Sequence, residues 1–238
     1  MRARIKLGWS SPLLIVLLTL MAVAMVGVGA PDRALAENCD SRAQKNVEGI
    51  GDGAFNYGYT TGFRAEIHVN DFADPQCHTT RSISVAQGGA NFIELGWIKA
   101  SIAPSGLSRF VFYNRKEDGV LHTHPQTQFS PPGGSDRNFK IENPGPNQDH
   151  DWRVVYDGHL LTDEAHQSYR VAAYSLTNSE KDYSSDSMYA HFFDLGVCIY
   201  WCGQYNDPTS YREIYNNTAE WKWCKVNNRE HYVRQDHC

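Results

Sequence analysis

The chain consists of short runs in which apolar and polar residues alternate, and turn-forming residues separate one run from the next. In the run 62–69 every second residue is apolar, which is the side-chain period of a β-strand with one buried face. Comparable runs lie at 82–85, 91–99, 109–114, 120–124, 138–142, 152–156, 159–161, 169–175 and 189–201. The pattern therefore predicts an all-β protein that forms a sandwich or a jelly roll.

Two Asp-Gly dipeptides mark chain reversals between neighbouring runs. Asp118-Gly119 and Asp157-Gly158 each lie between two alternating segments. Asp and Gly tolerate the positive φ angles that a two-residue hairpin loop needs, so we predict a β-hairpin at each dipeptide.

The first 36 residues have the three parts of a secretory signal peptide. Three basic residues precede an apolar run from Pro12 to Gly29, and Ala34-Leu35-Ala36 forms an A-x-A cleavage site. An uncleaved membrane anchor is the alternative, because the apolar run is nearly long enough to cross a bilayer. No basic stop-transfer cluster follows, which favours cleavage after Ala36. We expect a secreted, extracellular protein that begins at Glu37 and has no membrane contact once the signal is removed.

Removal of residues 1–36 takes away four basic residues and one acidic residue, so the formal charge changes from −5 to −8. A mildly acidic domain without a basic stripe is poorly suited to bind nucleic acid or anionic membranes. The remaining 202 residues are enough for one domain with a substantial core. We divide them into a β-sandwich domain, 37–197, and a C-terminal extension of the same domain, 198–238. The sequence does not fix the oligomeric state.

All six cysteines lie beyond the signal peptide, at Cys39, Cys77, Cys198, Cys202, Cys224 and Cys238. An even number of cysteines in an exported chain predicts disulfides, but the sequence does not choose among the pairings. The grouping suggests that Cys39 pairs with Cys77 and that the other four pair among themselves. A zinc site is the alternative for those four, although Cys198-x3-Cys202 has no second closely spaced pair.

The extension 198–238 is rich in aromatic residues. They are Tyr205, Tyr211, Tyr215, Trp221, Trp223 and Tyr232. We expect a disulfide-pinned segment that packs on the sandwich and buries its aromatic rings. The alternative is an exposed platform on which sugars or proline rings stack.

Few motifs of metal or nucleophile chemistry occur. His122-x-His124 puts two imidazoles on one face of a strand, but no third ligand has a diagnostic spacing, so we predict no metal site. The chain lacks a Gly-x-Ser-x-Gly elbow, a P-loop and a dinucleotide fingerprint. Carboxylates are therefore the groups available for any catalysis.

One carboxylate occupies an unusual place, in the run ANFIELGWIKA at 90–100. If this run is a strand, Glu94 shares a face with Phe92, Gly96 and Ile98, which is otherwise apolar or bare. Glu94 is then either an exposed edge residue, as most charged side chains are, or a group in a concave sheet face. In the second case poor solvation raises its pKa and makes it usable as a general acid or base.

The segment Phe92 to Trp97 (FIELGW), followed by a loop and by Arg109 to Asn114 (RFVFYN), resembles the neprosin family of secreted peptidases. The similarity extends over about residues 60–197. It implies a jelly-roll β-sandwich related to the glutamic peptidases, which need no cofactor and work in acid. It also implies that Glu94 is a catalytic glutamate that activates water, while a second glutamate or a glutamine stabilises the oxyanion.

The second family glutamate belongs on the segment Val171 to Asn178, and the best register places Tyr174 there. A tyrosine can donate a hydrogen bond, but it cannot shuttle a proton as a carboxylic acid does. The resemblance therefore predicts a degenerate peptidase scaffold that binds peptide or cell-wall material in the former cleft. Glu142, Glu180 and Asp194 are candidates to replace the missing acid.

Two alternatives stay open. An active acid glutamic endopeptidase would use Glu94 with another partner, and a second carboxyl or amide within hydrogen-bond reach of Glu94 would favour it. A lectin-like carbohydrate-binding module would stack Trp97, Trp152 and the aromatics of the extension on sugar. Exposed coplanar aromatics away from Glu94 would favour the module. The expected partner is accordingly a peptide or a polysaccharide.

Overall fold

The computed structural model describes residues 45–51, 60–72, 75, 77–88, 90–100, 108–145, 150–169, 172–181, 186–199, 202–209, 211–235 and 238. For 45–51 and 88 it describes the backbone alone. The predicted signal peptide lies outside these residues. The described part of the chain contains strands and turns but no helix, and so no helix that could cross a membrane.

The described residues form two seven-stranded antiparallel sheets, which confirms the predicted all-β sandwich. The strands are β1 (Lys45–Gly51), β2 (Gly62–Val69), β3 (His78–Gly88), β4 (Asn91–Ala100), β5 (Arg109–Glu117), β6 (Val120–Gln126), β7 (Ser135–Glu142), β8 (Asp151–Tyr156), β9 (His159–His166), β10 (Tyr174–Lys181), β11 (Ala190–Cys198), β12 (Tyr211–Asn216), β13 (Trp221–Asn227) and β14 (Glu230–Gln235). Sheet A has the order β12-β1-β10-β3-β4-β5-β6, and sheet B has the order β13-β14-β11-β2-β7-β8-β9.

Both predicted hairpins form at the Asp-Gly dipeptides. The φ angles are 49° at Asp118 and 82° at Gly119, and 49° at Asp157 and 81° at Gly158. Two successive positive values are those of a type I′ loop, whose twist matches that of the flanking strands. The loops join β5 to β6 and β8 to β9.

One strand differs from its predicted position. The alternating run 169–175 predicted a strand there, but β10 begins only at Tyr174 and continues to Lys181. Tyr169 precedes the strand and crosses the core. Its hydroxyl donates to the carbonyl of Val85 at 3.1 Å, and its carbonyl accepts from Trp152 Nε1 at 3.1 Å. These two hydrogen bonds provide partners for the hydroxyl and the carbonyl of Tyr169, although the residue is not part of a strand.

The core lies between the sheets and takes alternate residues from their strands. Fully buried members include Phe63, Ala65, Ile67, Ile83, Val85, Ile93, Leu95, Trp97, Val111, Phe139, Ile141, Trp152, Val154 and Phe192. Burial of each large apolar side chain contributes roughly 1.5–3 kcal/mol. A register slip of one residue would turn all of these side chains to the other face, so the register is firmly fixed. On β4 the same alternation turns Glu94 away from the core.

The extension 198–238 is part of both sheets, not a segment packed on top of them. β12 pairs with β1 at one edge of sheet A. The β13–β14 hairpin pairs with β11 and forms an edge of sheet B. The expected burial of aromatic rings holds for Tyr211 and Trp221, whereas Tyr215 is 47% exposed.

Disulfides include Cys224–Cys238, which ties the last residue of the chain to β13. Cys77 is also disulfide-bonded. Its predicted partner, Cys39, lies outside the described residues. Disulfide bonding is therefore confirmed for three of the six predicted cysteines.

Cys198 and Cys202 differ from the prediction, because neither is in a disulfide in this structure. Each sulfur is directed at Thr61. The Thr61 hydroxyl donates to Cys198 Sγ at 3.2 Å, and Cys202 Sγ donates to the Thr61 carbonyl at 3.1 Å. These hydrogen bonds fix the positions of the two sulfurs without a disulfide between them.

Gly96 is required by the close approach of β3 and β4. A Cβ at this position would lie 2.2 Å from the carbonyl oxygen of Arg81 and 2.6 Å from Ser82 Cβ. The neighbouring backbone would have to move to relieve such contacts.

His231 is fully buried between the sheets. Its Nε2 lies 2.9 Å from Thr177 Oγ1, and the rings of Tyr211 and Trp223 stack against it. Loss of solvation lowers the pKa of His231 from 6.5 to about 3, so the folded protein keeps this imidazole neutral.

We predict that acid destabilises the fold through His231. The unfolded chain binds a proton at this histidine below pH 6.5, but the folded chain does so only near pH 3, so stability is lost as the pH falls through that window. Between about pH 7 and 4.5 the loss amounts to about 2.5 kcal/mol. His231→Gln, which cannot be protonated, should remove that part of the pH dependence in urea unfolding. Exposed His122→Gln is the control, and parallel curves for wild type and His231→Gln would contradict the prediction.

We predict that Gly96→Ala lowers the free energy of unfolding by about 3 kcal/mol, because the new methyl group overlaps the backbone of β3. Denaturant unfolding measures the loss. Ser84→Ala, on the same face of β3, is the matched control. A loss for Gly96→Ala no larger than that of the control would show that the two strands can separate without cost.

Candidate active site

Glu94 lies near the middle of sheet A, on the face turned away from the core. The register of β4 with its neighbours places Ser84 and Asn114 directly opposite Glu94. One strand further, Asn178 of β10 lies opposite Ser82 of β3. Because side chains directly opposite each other share a face, these residues form one polar patch around Glu94.

The two carboxyl oxygens of Glu94 each accept a hydrogen bond. Ser82 Oγ donates to Oε1 at 2.6 Å, and Asn114 Nδ2 donates to Oε2 at 2.8 Å. The side chain of Asn178 also hydrogen-bonds to the carboxyl. Glu94 is half-buried on a central strand. Of the two sequence interpretations, the structure thus supports the recessed carboxylate over the exposed edge residue.

Gly96 provides the space for one of these bonds. Ser82 lies opposite Gly96, two residues along β4 from Glu94. The missing side chain lets Ser82 lie close over β4 and direct its hydroxyl to the carboxyl. The Ser82–Glu94 hydrogen bond therefore explains why a glycine stands at position 96 of the FIELGW segment.

Opposing effects set the pKa of Glu94. Loss of solvation raises it above the ordinary value, and the charge of Glu180 raises it further. Hydrogen bonds from Ser82, Asn114 and Asn178 favour the charged form and lower it, but burial dominates. The result is a carboxyl that gains and loses a proton at higher pH than a solvated glutamate, as a general base needs.

Two amide oxygens next to Glu94 lack hydrogen-bond donors. Asn114 Oδ1 and Asn178 Oδ1 are buried and have no partner in the described part of the chain. Buried polar atoms in native proteins are nearly always paired. These oxygens are available to accept hydrogen bonds from an O–H or N–H of a bound molecule. The patch thus offers a base, donors and acceptors within a few ångströms.

Of the acids considered as a replacement partner, Glu180 alone lies on the face of Glu94. It is two residues from Asn178 on β10, and its Oε1 is 3.8 Å from His78 Nε2. Glu142 belongs to sheet B and binds Lys140. Asp194 binds Arg64 and Arg229 on the same sheet.

Tyr174 lies at the start of β10, opposite Ala86 of β3. It is on the same face as Glu94 but does not align with it, because Glu94 lies opposite Ser84, two residues before Ala86 on β3. The residue of β10 that hydrogen-bonds to Glu94 is Asn178, four positions later. The residue of β10 that contacts Glu94 is therefore Asn178 and not the residue that the sequence register selected.

The prediction that Trp97 and Trp152 stack on a ligand is wrong. Both indoles are fully buried in the core. The guanidinium groups of Arg81 and Arg109 lie 5.6 Å and 5.9 Å from the Trp97 ring. The ring of Trp152 packs edge-on against Tyr169. Both tryptophans turn inward because they fall on the core-facing positions of β4 and β8.

The histidine pair does not gather further ligands. His124 stacks on Tyr113 with ring centroids 4.4 Å apart, and His122 is exposed on the edge strand β6. Within the described ranges no three His, Cys, Asp or Glu side chains are arranged to hold a metal ion.

Sequence analysis did not identify Ser82, Asn114 or Asn178 as site residues. Asn114 ends the RFVFYN segment. The alternation of that segment predicts which face of the strand Asn114 is on, but not that Glu94 lies beside it. Ser82 and Asn178 come from strands 96 residues apart in the chain, paired with each other across sheet A. The missing information was the strand order.

No protein-family model and no curated protein matches the sequence. Solved structures match its fold. A crystal structure of scytalido-glutamic peptidase with a transition state analog inhibitor has a TM-score of 0.53 at 10% identity and covers 81% of this chain and 98% of that chain. A second structure of that peptidase, with a peptide-based analog, has a TM-score of 0.48 at the same identity and coverage. The structure of CG-16, a homodimeric agglutinin from chicken liver, has a TM-score of 0.35 at 13% identity and covers 53% of this chain and 86% of that chain. The first of these likenesses shows that this chain has a glutamic peptidase-like fold.

Proposed function

We propose that this chain is a secreted glutamic-type peptidase in which Glu94 hydrolyses peptide bonds. The observation that carries the proposal is the half-buried carboxyl of Glu94, hydrogen-bonded to the amides of Asn114 and Asn178. An amide within hydrogen-bond reach of this carboxyl favours an active peptidase over a degenerate one. The glutamic peptidase-like fold supports the same conclusion.

The chemistry follows from the protonation of Glu94. As a carboxylate it accepts a proton from a water molecule while the water oxygen attacks the scissile carbonyl carbon. Each carboxamide has two N–H groups, so Asn114 and Asn178 can each donate one to the developing oxyanion. The protonated Glu94 then passes its proton to the leaving nitrogen, and the C–N bond breaks. The carboxylate is restored and no other group changes its charge.

The activity of this site depends on the protonation state of Glu94. Glu94 must be ionised to act as a base, and its pKa is raised by burial, so the rate falls as the pH drops through that pKa. Protonation of His231 in the unfolded chain opposes folding as the pH falls from 6.5 towards 3. Both groups therefore predict that activity falls as the solution becomes more acidic.

We also propose that the protein is related to the neprosin family, on the basis of the FIELGW segment, and that it is secreted. The signal pattern at 1–36 and the disulfides at Cys77 and Cys224 support an oxidising, extracellular location. The partner is then an extracellular peptide or protein, and neither nucleic acid nor a membrane.

A non-catalytic peptide-binding protein is the second candidate. Both oxygens of Glu94 already accept hydrogen bonds, and Tyr174 lies where the sequence register expected a second acid. Such a protein would keep the outer face of sheet A as a docking surface for peptide or cell-wall material. A carbohydrate-binding module has less support, because Trp97 and Trp152 are buried.

We predict that the purified protein without residues 1–36 cleaves a denatured, proline-rich protein, and that in a scan from about pH 3 to 7, where carboxyl groups titrate, the rate falls towards the acid end. Glu94→Gln should lower the initial rate by about 10²–10⁴-fold, since the amide cannot accept the proton. Glu66→Gln, on β2 of the other sheet, is the matched control and should leave the rate unchanged. Equal rates for Glu94→Gln and wild type would remove Glu94 from the mechanism. No cleavage by folded wild type, with retained peptide binding, would establish the second candidate.

We predict that Ser82→Ala moves the acid limb of kcat/KM to higher pH by about one unit. The hydroxyl stabilises the ionised carboxyl, and a hydrogen bond to a charge contributes about 1.5 kcal/mol. Ser84→Ala, which removes a hydroxyl that does not hydrogen-bond to Glu94, should leave the limb in place. Carbon-13 NMR of the glutamate carboxyls would detect the same change without substrate. A limb unmoved by Ser82→Ala would contradict the assignment of that limb to Glu94.

A further inference from the structure

Strand β10 turns its apolar side chain away from the core. Its inward residues are Ser175, Thr177 and Ser179, which are polar and fully buried. Leu176 lies on the outer face of sheet A and is partly exposed. A strand with one buried face usually has the reverse arrangement, with apolar residues inward and polar residues outward. Core packing therefore does not account for a leucine at position 176.

One small residue separates Leu176 from Glu94. Ser84 of β3 lies directly opposite Leu176 on one side and directly opposite Glu94 on the other. Since neighbouring strands lie about 4.8 Å apart, the backbones of Leu176 and Glu94 are about 10 Å apart. The short side chain of Ser84 does not fill that width, and Ser84 is itself partly exposed. The outer face of sheet A therefore has a hollow above Ser84, beside the candidate catalytic carboxyl.

Phe92 adds a second apolar side chain to this hollow. It lies two residues before Glu94 on β4, on the same outer face, and is partly exposed. It is opposite Ala86, the next outward residue of β3 after Ser84, so Phe92 and Ser84 are diagonal neighbours. Diagonal neighbours on one face of an antiparallel sheet are within reach of an aromatic side chain. The hollow thus has a polar floor, apolar side chains on two sides and Glu94 on a third.

We infer that Leu176, Ser84 and Phe92 form a subsite for a large apolar side chain next to the scissile bond. The inference rests on the proposed peptidase function of Glu94 and adds the class of residue that the substrate must offer. A peptide whose carbonyl carbon lies beside Glu94 brings a flanking side chain over Ser84. Leucine, methionine or phenylalanine buries apolar surface there against Leu176 and Phe92. An acidic side chain is repelled by the carboxylate of Glu94.

The size of the preference follows from the depth of the subsite. A hollow that is partly open to solvent discriminates near the lower end of the range for apolar pockets, so we expect leucine to be favoured over alanine about tenfold. Leu176→Ala removes one side of the subsite and should reduce this preference to about twofold. Ser84→Val fills the floor, so it should weaken binding of a leucine peptide about tenfold and leave an alanine peptide unchanged.

The first measurement is peptide binding by NMR, with protein that carries Glu94→Gln so that no peptide is cleaved. Two blocked octapeptides of glycine and serine differ only in a central leucine or alanine. We expect the leucine peptide to shift the methyl signals of Leu176 and to bind about tenfold more tightly than the alanine peptide. Leu160→Ala, which truncates an exposed leucine on β9 of the other sheet, is the matched control and should leave the preference unchanged.

Three outcomes of the binding measurement would overturn the subsite. They are equal dissociation constants for the two peptides, a leucine preference that survives in both Leu176→Ala and Ser84→Val, and no shift of the Leu176 methyl signals with either peptide.

The second measurement separates the subsite from the proposed function. Wild-type protein digests a library of peptides prepared from a cell lysate, and mass spectrometry identifies the residues at each new terminus. We expect large apolar residues to be enriched on one side of the cleaved bond, and Leu176→Ala to reduce the enrichment. Cleavage without this enrichment would overturn the subsite but not the peptidase. No cleavage by folded wild type, with the leucine preference retained in the binding measurement, would overturn the peptidase but not the subsite.

Discussion

The pleat of strand β4 separates the core of this protein from its candidate site. Its inward residues, Ile93, Leu95 and Trp97, are fully buried between the two sheets. Its outward residues include Glu94 and Gly96, which meet β3 and β5 on the other face. Because the side-chain period is two, the packing that fixes the inward set also fixes the outward set. The position of the carboxyl therefore depends on a hydrophobic register, and the site rests on a rigid central strand instead of a loop.

That placement has an energetic cost, which the neighbouring polar groups partly offset. A half-buried carboxylate loses hydration, and Ser82, Asn114 and Asn178 replace part of it with hydrogen bonds. Burial still dominates, so the pKa of Glu94 stays raised. Full compensation would have produced an ordinary structural carboxylate. The incomplete compensation leaves a carboxyl that takes up a proton at higher pH than a solvated glutamate does, a feature that is common at functional sites.

A second titratable group, His231, also responds to acid. His231 is enclosed by the aromatic rings that the C-terminal extension brings to the sandwich, and its pKa is lowered to about 3. The extension contributes strands to both sheets, so its stability and that of the sheet carrying Glu94 are linked. Acid thus favours proton uptake by Glu94 and at the same time weakens the fold around Thr177, on the strand that also carries Asn178.

The sequence by itself determined the all-β class, the two Asp-Gly hairpins and the face of β4 that carries Glu94, because each depends on local alternation or on local φ preferences. Tertiary structure decided which groups contact that carboxyl. Alternation gives the face of a strand but neither its neighbours nor its register, so Ser82 and Asn178 were not identified and Tyr174 was assigned to a contact that Asn178 makes. It also decided that Trp97 lies in the core, since a tryptophan beside a candidate site has the same local pattern whether it faces a ligand or the opposite sheet.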